Sequence, residues 1–312
     1  MKHLKNNFSL NPLLNNIYSA YFPTKKDNLF QLVLKVIFLA ILIFSVVFTS
    51  YCAVYFEDIH REQKIIENNQ KLWNSYKSNS DAEQSFADSK AFKAFYSENR
   101  DFKGWLNVGG GDISAPVYQT DNNNYYINHN SQKQESSYGA LFFDKNNKIS
   151  EKKTDSNLVI YGNSLPDGSL FGNLYKLRSL SYLKENYTIT LSLSKQESTY
   201  KIFAVLVLNA TKEDDNNHIF DIYGKSHKNE DIFNSWKSEA LNRSFFNTAT
   251  DLKSTDSYLT LVTRSEDFEN SRLVIIARKV REGENPLVNT SAFILNPSPR
   301  YPKKWYSERG IS

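Results

Sequence analysis

The sequence predicts a mainly β domain with a few helices, of the barrel or sandwich kind, carried behind an N-terminal helical anchor. Seven or eight short runs rich in β-branched and aromatic residues, separated by turn clusters, occupy residues 102–279. A 21-residue stretch near the N-terminus holds no charge at all. The whole chain of 312 residues is 40% hydrophobic and 23% charged, with only 11 Gly and 8 Pro, which excludes both disorder and a fibrous repeat. Its single cysteine, Cys52, excludes an intramolecular disulfide and any multi-cysteine metal site.

The first 35 residues read as a cytoplasmic N-terminal segment, and residues 36–56, VIFLAILIFSVVFTSYCAVYF, as a transmembrane anchor. At about 1.5 Å per helical residue such a segment reaches about 30 Å, the hydrocarbon thickness of a bilayer. Lysines precede it, Lys25, Lys26 and Lys35 among them, and Glu57 and Asp58 follow. The positive-inside rule then keeps the N-terminus in the cytoplasm and puts the rest of the chain outside. The long apolar run, with no small-x-small site after it, favours an uncleaved anchor over a signal peptide. The net charge of +4 is confined to this end. Five of the 38 basic residues and one of the 34 acidic ones lie in 1–56, which leaves 33 of each sign for residues 57–312. A neutral body argues against nucleic acid as a partner, since phosphate neutralisation requires a basic face.

Residues 57–98 lack Gly and Pro and space Ile65, Ile66, Leu72, Trp73 and Tyr76 as a helix does, which predicts one or two juxtamembrane helices. The β-rich domain spans 99–281. Its strands are expected at Trp105–Val108, Ile113–Gln119, Ala140–Phe143, Leu158–Tyr161, Thr188–Leu193, Tyr200–Leu208, Tyr258–Thr263 and Leu273–Lys279. Gly109-Gly110-Gly111 lacks the helix and lysine of a phosphate loop and reads as a hairpin turn. Helical spacing recurs near Leu170–Leu180 and at Glu230–Asn242, where Ile232, Phe233, Trp236 and Ala240 share a face. Residues 282–312 carry Pro286, Pro297, Pro299 and Pro302 and read as an irregular extension, open to packing through Trp305 and Tyr306.

Three segments, taken together, resemble class B sortases. The first runs from Gly104-Trp105-Leu106 through Pro116-Val117-Tyr118-Gln119-Thr120 to Tyr125-Tyr126-Ile127-Asn128-His129. The second is Tyr161-Gly162-Asn163 with Asp167-Gly168-Ser169-Leu170-Phe171. The third is Thr260-Leu261-Val262-Thr263-Arg264, followed by Arg272 at the head of Leu273-Val274-Ile275-Ile276-Ala277. All three occur in the family's order, over about residues 100–280.

The resemblance implies a closed eight-stranded sortase-type barrel and a membrane-anchored cysteine transpeptidase that attaches proteins to the cell wall of Gram-positive bacteria. It implies no cofactor and no metal. That chemistry uses a thiol to attack the scissile carbonyl, an imidazole to move protons, and a guanidinium to hold the developing oxyanion or the peptide. This chain departs at two of the three positions. Asn163 stands at the family's histidine position and Arg264 at its cysteine position, while Arg272 keeps the arginine. An amide has no titratable proton near neutral pH, and a guanidinium is no nucleophile. Cys52 lies in the anchor and offers no replacement.

The resemblance with these departures implies a pseudo-sortase that binds a peptide, a cell-wall component or a partner protein through Asn163, Arg264 and Arg272. An active sortase or a surface-protein substrate is a candidate partner. Two guanidiniums within about 10 Å of each other would call for an anion between them. The alternative is an active transpeptidase or peptidase with an unrecognised nucleophile. Thr263 and Ser265 flank the cysteine position, but adjacent strand residues point to opposite faces, so neither inherits its direction. His129 reads as a structural hydrogen-bonding residue. His218 with Glu213, Asp214 and Asp215 reads as a solvated acidic loop, because neither spacing nor ligand count is diagnostic of a metal.

Overall fold

The structure is a computed structural model that describes residues 12–79, 86–150, 154–194, 196–224 and 229–311. It divides into two compact units, residues 1–61 and 62–312. The first contains helix α1 (Pro12–Tyr21) and the start of helix α2 (Leu29–Asn79). Asn28 opens α2 with a reciprocal cap: Gln31 N donates to Asn28 Oδ1 at 2.9 Å, and Asn28 N donates to Gln31 Oε1 at 3.2 Å. Lys35 Nζ donates to Asp27 Oδ1 at 2.7 Å and to Ser19 O at 2.6 Å. No Gly or Pro interrupts Leu29–Asn79, and the backbone stays helical throughout. The segments expected as two helices, residues 36–56 and the stretch after them, are therefore one element, with no break at residue 56. Its apolar stretch is long enough to cross a membrane, and its most apolar part is wholly unburied. Ile41, Phe44, Val47 and Tyr51 are all exposed.

In the second unit, the last turns of α2 and helix α3 (Lys90–Glu98) form an aromatic cluster with the barrel. Trp73 stacks on Trp105 at 4.8 Å between ring centroids, and Phe95 lies 5.2 Å from the same ring. The Ser89 hydroxyl caps α3 by accepting from Phe92 N at 3.0 Å. These rings seal the outer side of a strand that would otherwise face water.

The barrel strands are β1 (Phe102–Val108), β2 (Ile113–Tyr118), β3 (Leu141–Phe143), β4 (Asn157–Tyr161), β5 (Thr188–Leu193) and β6 (Glu197–Asn209). A two-residue strand, β7 (Phe246–Asn247), precedes β8 (Tyr258–Arg264) and β9 (Ser271–Lys279). Eight strands close into a barrel, as the resemblance implies, in the order β1-β2-β3-β4-β8-β9-β6-β5. Pairs β2·β3 and β4·β8 are parallel, and the others are antiparallel. Alternation sorts the core into two layers. Leu158 and Ile160 join Leu259, Leu261, Ile275 and Leu106 inside, while Val159, Val262, Val274 and Ile276 face outward. Gly109–Gly111 turns β1 into β2, as expected.

The helical structure expected near Leu170–Leu180 is a 3₁₀ turn over Gly172–Arg178 followed by helix α4 (Leu180–Glu185). Leu170 has φ 50°, a left-handed conformation that cannot start an α-helix. Helix α5 (Glu230–Arg243) covers the outer layer with Phe233, Trp236 and Ala240, as its spacing predicts, whereas Ile232, expected on the same face, is exposed. The tail adds strand β10 (Ile294–Leu295), paired with β7, and helix α6 (Lys303–Ser307). Phe293 is buried, and Trp305 packs on the main core and stacks on Tyr301 at 3.9 Å.

Candidate functional site

The ends of β4, β8 and β9 meet at a cavity of about 340 Å³ that contains all three residues singled out from the sequence, Asn163, Arg264 and Arg272. Phe142 and Tyr161 supply its aromatic surface, and Ile127 and Asn124 come from the loop before β3. Arg264 and Arg272 are direct cross-strand partners. Ser265 N donates to Ser271 O at 3.1 Å, which makes Arg264 and Arg272 the adjacent non-hydrogen-bonded pair. Their Cα atoms are then about 4.5 Å apart, with both side chains on one face. Like charges so placed repel unless something negative intervenes.

Arg264 is exposed, and Arg272 is partly buried. Arg272 Nη1 donates to the carbonyls of Asn270 and Ser271, at 3.2 and 2.9 Å, which leaves the rest of its fork free. Burial first, and then the neighbouring Arg264 charge, hold the Arg272 guanidinium below its ordinary pKa. Neither arginine has a carboxylate partner among the described residues, and no Asp or Glu lines the cavity.

Asn163 does something different. Its Nδ2 donates to Ile127 O at 2.8 Å and to Tyr138 O at 3.0 Å, so its donors are occupied by the 127–138 loop. Only Oδ1 remains for a ligand. Gly139 permits this close approach. It sits at φ +67°, and a Cβ there would lie 2.5 Å from Tyr126 O and 2.9 Å from Asn163 Nδ2.

The hydroxyls beside Arg264 are also occupied. Thr263 is buried and donates from Oγ1 to Gly162 O at 2.8 Å. Ser265 Oγ donates to Asp267, whose carboxylate also receives both arms of Arg178 at 2.8 and 3.0 Å. A carboxylate neutralised by a guanidinium is a poor base, and no imidazole stands between it and the serine. His129 stacks on Tyr125, and its Nδ1 lies 2.8 Å from Tyr125 O, which agrees with a structural role. In the acidic loop, Asp215 Oδ2 accepts from Arg243 at 2.6 Å, and His218 Nε2 lies 2.7 Å from Glu239. Asp215 is therefore buried in an ion pair with Arg243, not solvated as the sequence suggests, and His218 is hydrogen-bonded to Glu239.

A polar network behind the cavity was not legible in the sequence. Asp144 is fully buried; it accepts from Tyr223 OH at 2.9 Å, Tyr161 OH at 3.3 Å and Asn123 Nδ2 at 2.8 Å. Burial opposes its charge, but the Asn146 amide N–H and the Asn123 and Tyr223 donors outweigh burial and keep its pKa below the usual carboxylate range. Tyr161 is pushed strongly upward, by burial first and then by Tyr223, so it stays a neutral phenol. The network fixes the Tyr161 ring against Phe142, 5.4 Å away. Its members lie far apart in sequence and form no motif.

A closed barrel with this parallel β4·β8 pairing and helices around it is a sortase-type fold. Comparison with known proteins makes it more specific. The chain is 27% identical over 184 residues to sortase B of Listeria monocytogenes, covering 58% of this chain and 71% of the relative. It is 22% identical over 193 residues to sortase B of Staphylococcus aureus, covering 61% and 75%. A mutant form of Clostridium perfringens sortase B superposes with a TM-score of 0.57 at 26% identity, over 70% of this chain and 99% of that one. The Staphylococcus aureus sortase B–substrate complex shares the fold at a TM-score of 0.59 and 20% identity, over 72% and 99%. No family model matches the chain. The chain is a class B sortase-like protein.

Proposed function

We propose that this chain is a membrane-anchored pseudo-sortase that binds an anionic peptide or cell-wall component in the cleft where its relatives carry out transpeptidation. The observation that carries the reading is the pair Arg264 and Arg272, side by side and without an acidic partner among the described residues, in a cavity whose lining has neither thiol nor imidazole. Asn163, at the family's histidine position, holds a loop in place and cannot relay a proton. A general acid–base group is worth about 10²–10⁴-fold in rate, and loss of the nucleophile removes the covalent route itself. An apolar helix preceded by lysines supports a single membrane span with the N-terminus in the cytoplasm and the barrel outside. That a solved neighbour is a sortase B–substrate complex supports a peptide as one ligand class.

The test titrates the full chain, in non-ionic detergent, with acidic and neutral peptides at low and high salt. The reading expects acidic peptides to bind and salt to weaken them, because exposed charges are screened. Absent binding, or binding indifferent to salt, contradicts it.

A further inference from the structure

Resting on that reading, we propose that the ligand of the Arg264–Arg272 cleft is a phosphate ester of a sugar or polyol, with the phosphate between the two guanidiniums and the organic part against Phe142 and Tyr161. The choice among anions follows from the number and placement of the donors. Two permanent cations project from directly opposed positions, and no carboxylate lines the cavity to neutralise them. A carboxylate has one planar oxygen edge, which satisfies one guanidinium fork and leaves the second to share its oxygens. A tetrahedral phosphate offers several oxygen edges in different planes, so two forks can grip it from two sides.

Charge points the same way. A phosphate monoester carries between one and two negative charges near neutral pH, a closer match to two guanidiniums than a single carboxylate. Arg272 is already tied back to the carbonyls of Asn270 and Ser271 through Nη1, so its remaining donors are held in place before a ligand arrives.

The rest of the cavity suits a compact organic group. Tyr161 is fixed by Asp144 and Tyr223, and it presents a ring beside Phe142. Flat aromatic faces accept the C–H face of a sugar or polyol without demanding a particular hydroxyl pattern. Asn123, Asn124, Thr263 and the Asn163 carbonyl oxygen supply uncharged polar groups to the lining.

The experiment uses the full chain in non-ionic detergent, with calorimetric titration at constant ionic strength. The probes are inorganic phosphate, glycerol 1-phosphate, glucose 1-phosphate, acetate and an N-acetylated dipeptide with a free C-terminal carboxylate. Phosphate esters are expected to bind about tenfold or more tightly than either carboxylate, and more tightly than inorganic phosphate. Arg264→Gln and Arg272→Gln are each expected to weaken ester binding about tenfold or more, as loss of a charge-assisted hydrogen-bonding pair does. Arg264 is exposed at a strand end, so Arg264→Gln should keep the wild-type melting temperature, which is measured alongside to separate lost contacts from lost fold. Carboxylates binding as well as the esters would overturn the phosphate assignment and leave the anion-binding reading standing. Failure of every anion to bind, or an Arg264→Gln variant with wild-type affinity, would overturn both.

Discussion

Asn163 lines the cleft with Arg264 and Arg272, yet its amide nitrogen spends its donors on two backbone carbonyls. This makes it a loop clamp. Replacing it with alanine strands the carbonyls of Ile127 and Tyr138, each of which loses a bond of 3.0 Å or less. The expected cost is about 1–3 kcal/mol, read from denaturant unfolding. Amides in residues 127–139 should also exchange with solvent faster while the barrel strands stay protected. Unchanged exchange in that loop would contradict the clamp. The identities of Asn163, Arg264 and Arg272 were legible in the sequence once the three segments were aligned with a family pattern. Clamping was not, because its acceptors lie 36 and 25 residues away and are backbone atoms that carry no residue signature.

The strands were legible because each alternates inward and outward over five or more residues or sits between turn clusters; their order and register, set by pairings between segments far apart in the chain, were not. The helices were harder to read. Continuity of α2 through residue 79 leaves no compositional trace beyond the absence of Gly and Pro, and a change from apolar to polar residues looks like a boundary when it is only a change of surroundings. The tail was harder still. Glu284, in a segment read as irregular, receives both arms of the buried Arg278 at 2.7 and 2.6 Å and the buried Lys201 at 2.7 Å. Arg278, working against burial and helped by Lys201 and the Arg281 N–H, holds the Glu284 carboxyl far below its ordinary range. Since the native pKa is the lower one, the stabilisation is complete above the unfolded value of about 4.3 and is lost as pH falls towards the native value. Removing the carboxylate leaves two buried cations short of a partner, so Glu284→Gln should cost about 3 kcal/mol at pH 7. Thermal melts from pH 7 down to pH 2 check this. The wild type should lose stability faster than the variant below about pH 5, and parallel curves would contradict the assignment.

At the scale of the whole molecule, the chain carries an apolar helix long enough to cross a membrane and a barrel whose cleft is lined by two arginines. The helix makes a direct prediction. The full chain should sediment with membranes, resist extraction by high salt or alkaline carbonate, and be released by detergent, as a single hydrophobic span requires. Release by salt alone would show a peripheral protein. The proposed loss of acyl transfer rests on Thr263, in the cleft lining, and Ser265, next to Arg264 in sequence, which already donate their hydroxyl protons to a carbonyl and an arginine-paired carboxylate, while Cys52 is the chain's single sulfhydryl. Its most direct test is intact-mass spectrometry of the detergent-solubilised full chain after incubation with a library of sorting-signal peptides. The account predicts an unmodified protein mass and uncleaved peptides. An acyl adduct on the chain, abolished by Ser265→Ala or Thr263→Val, would contradict it.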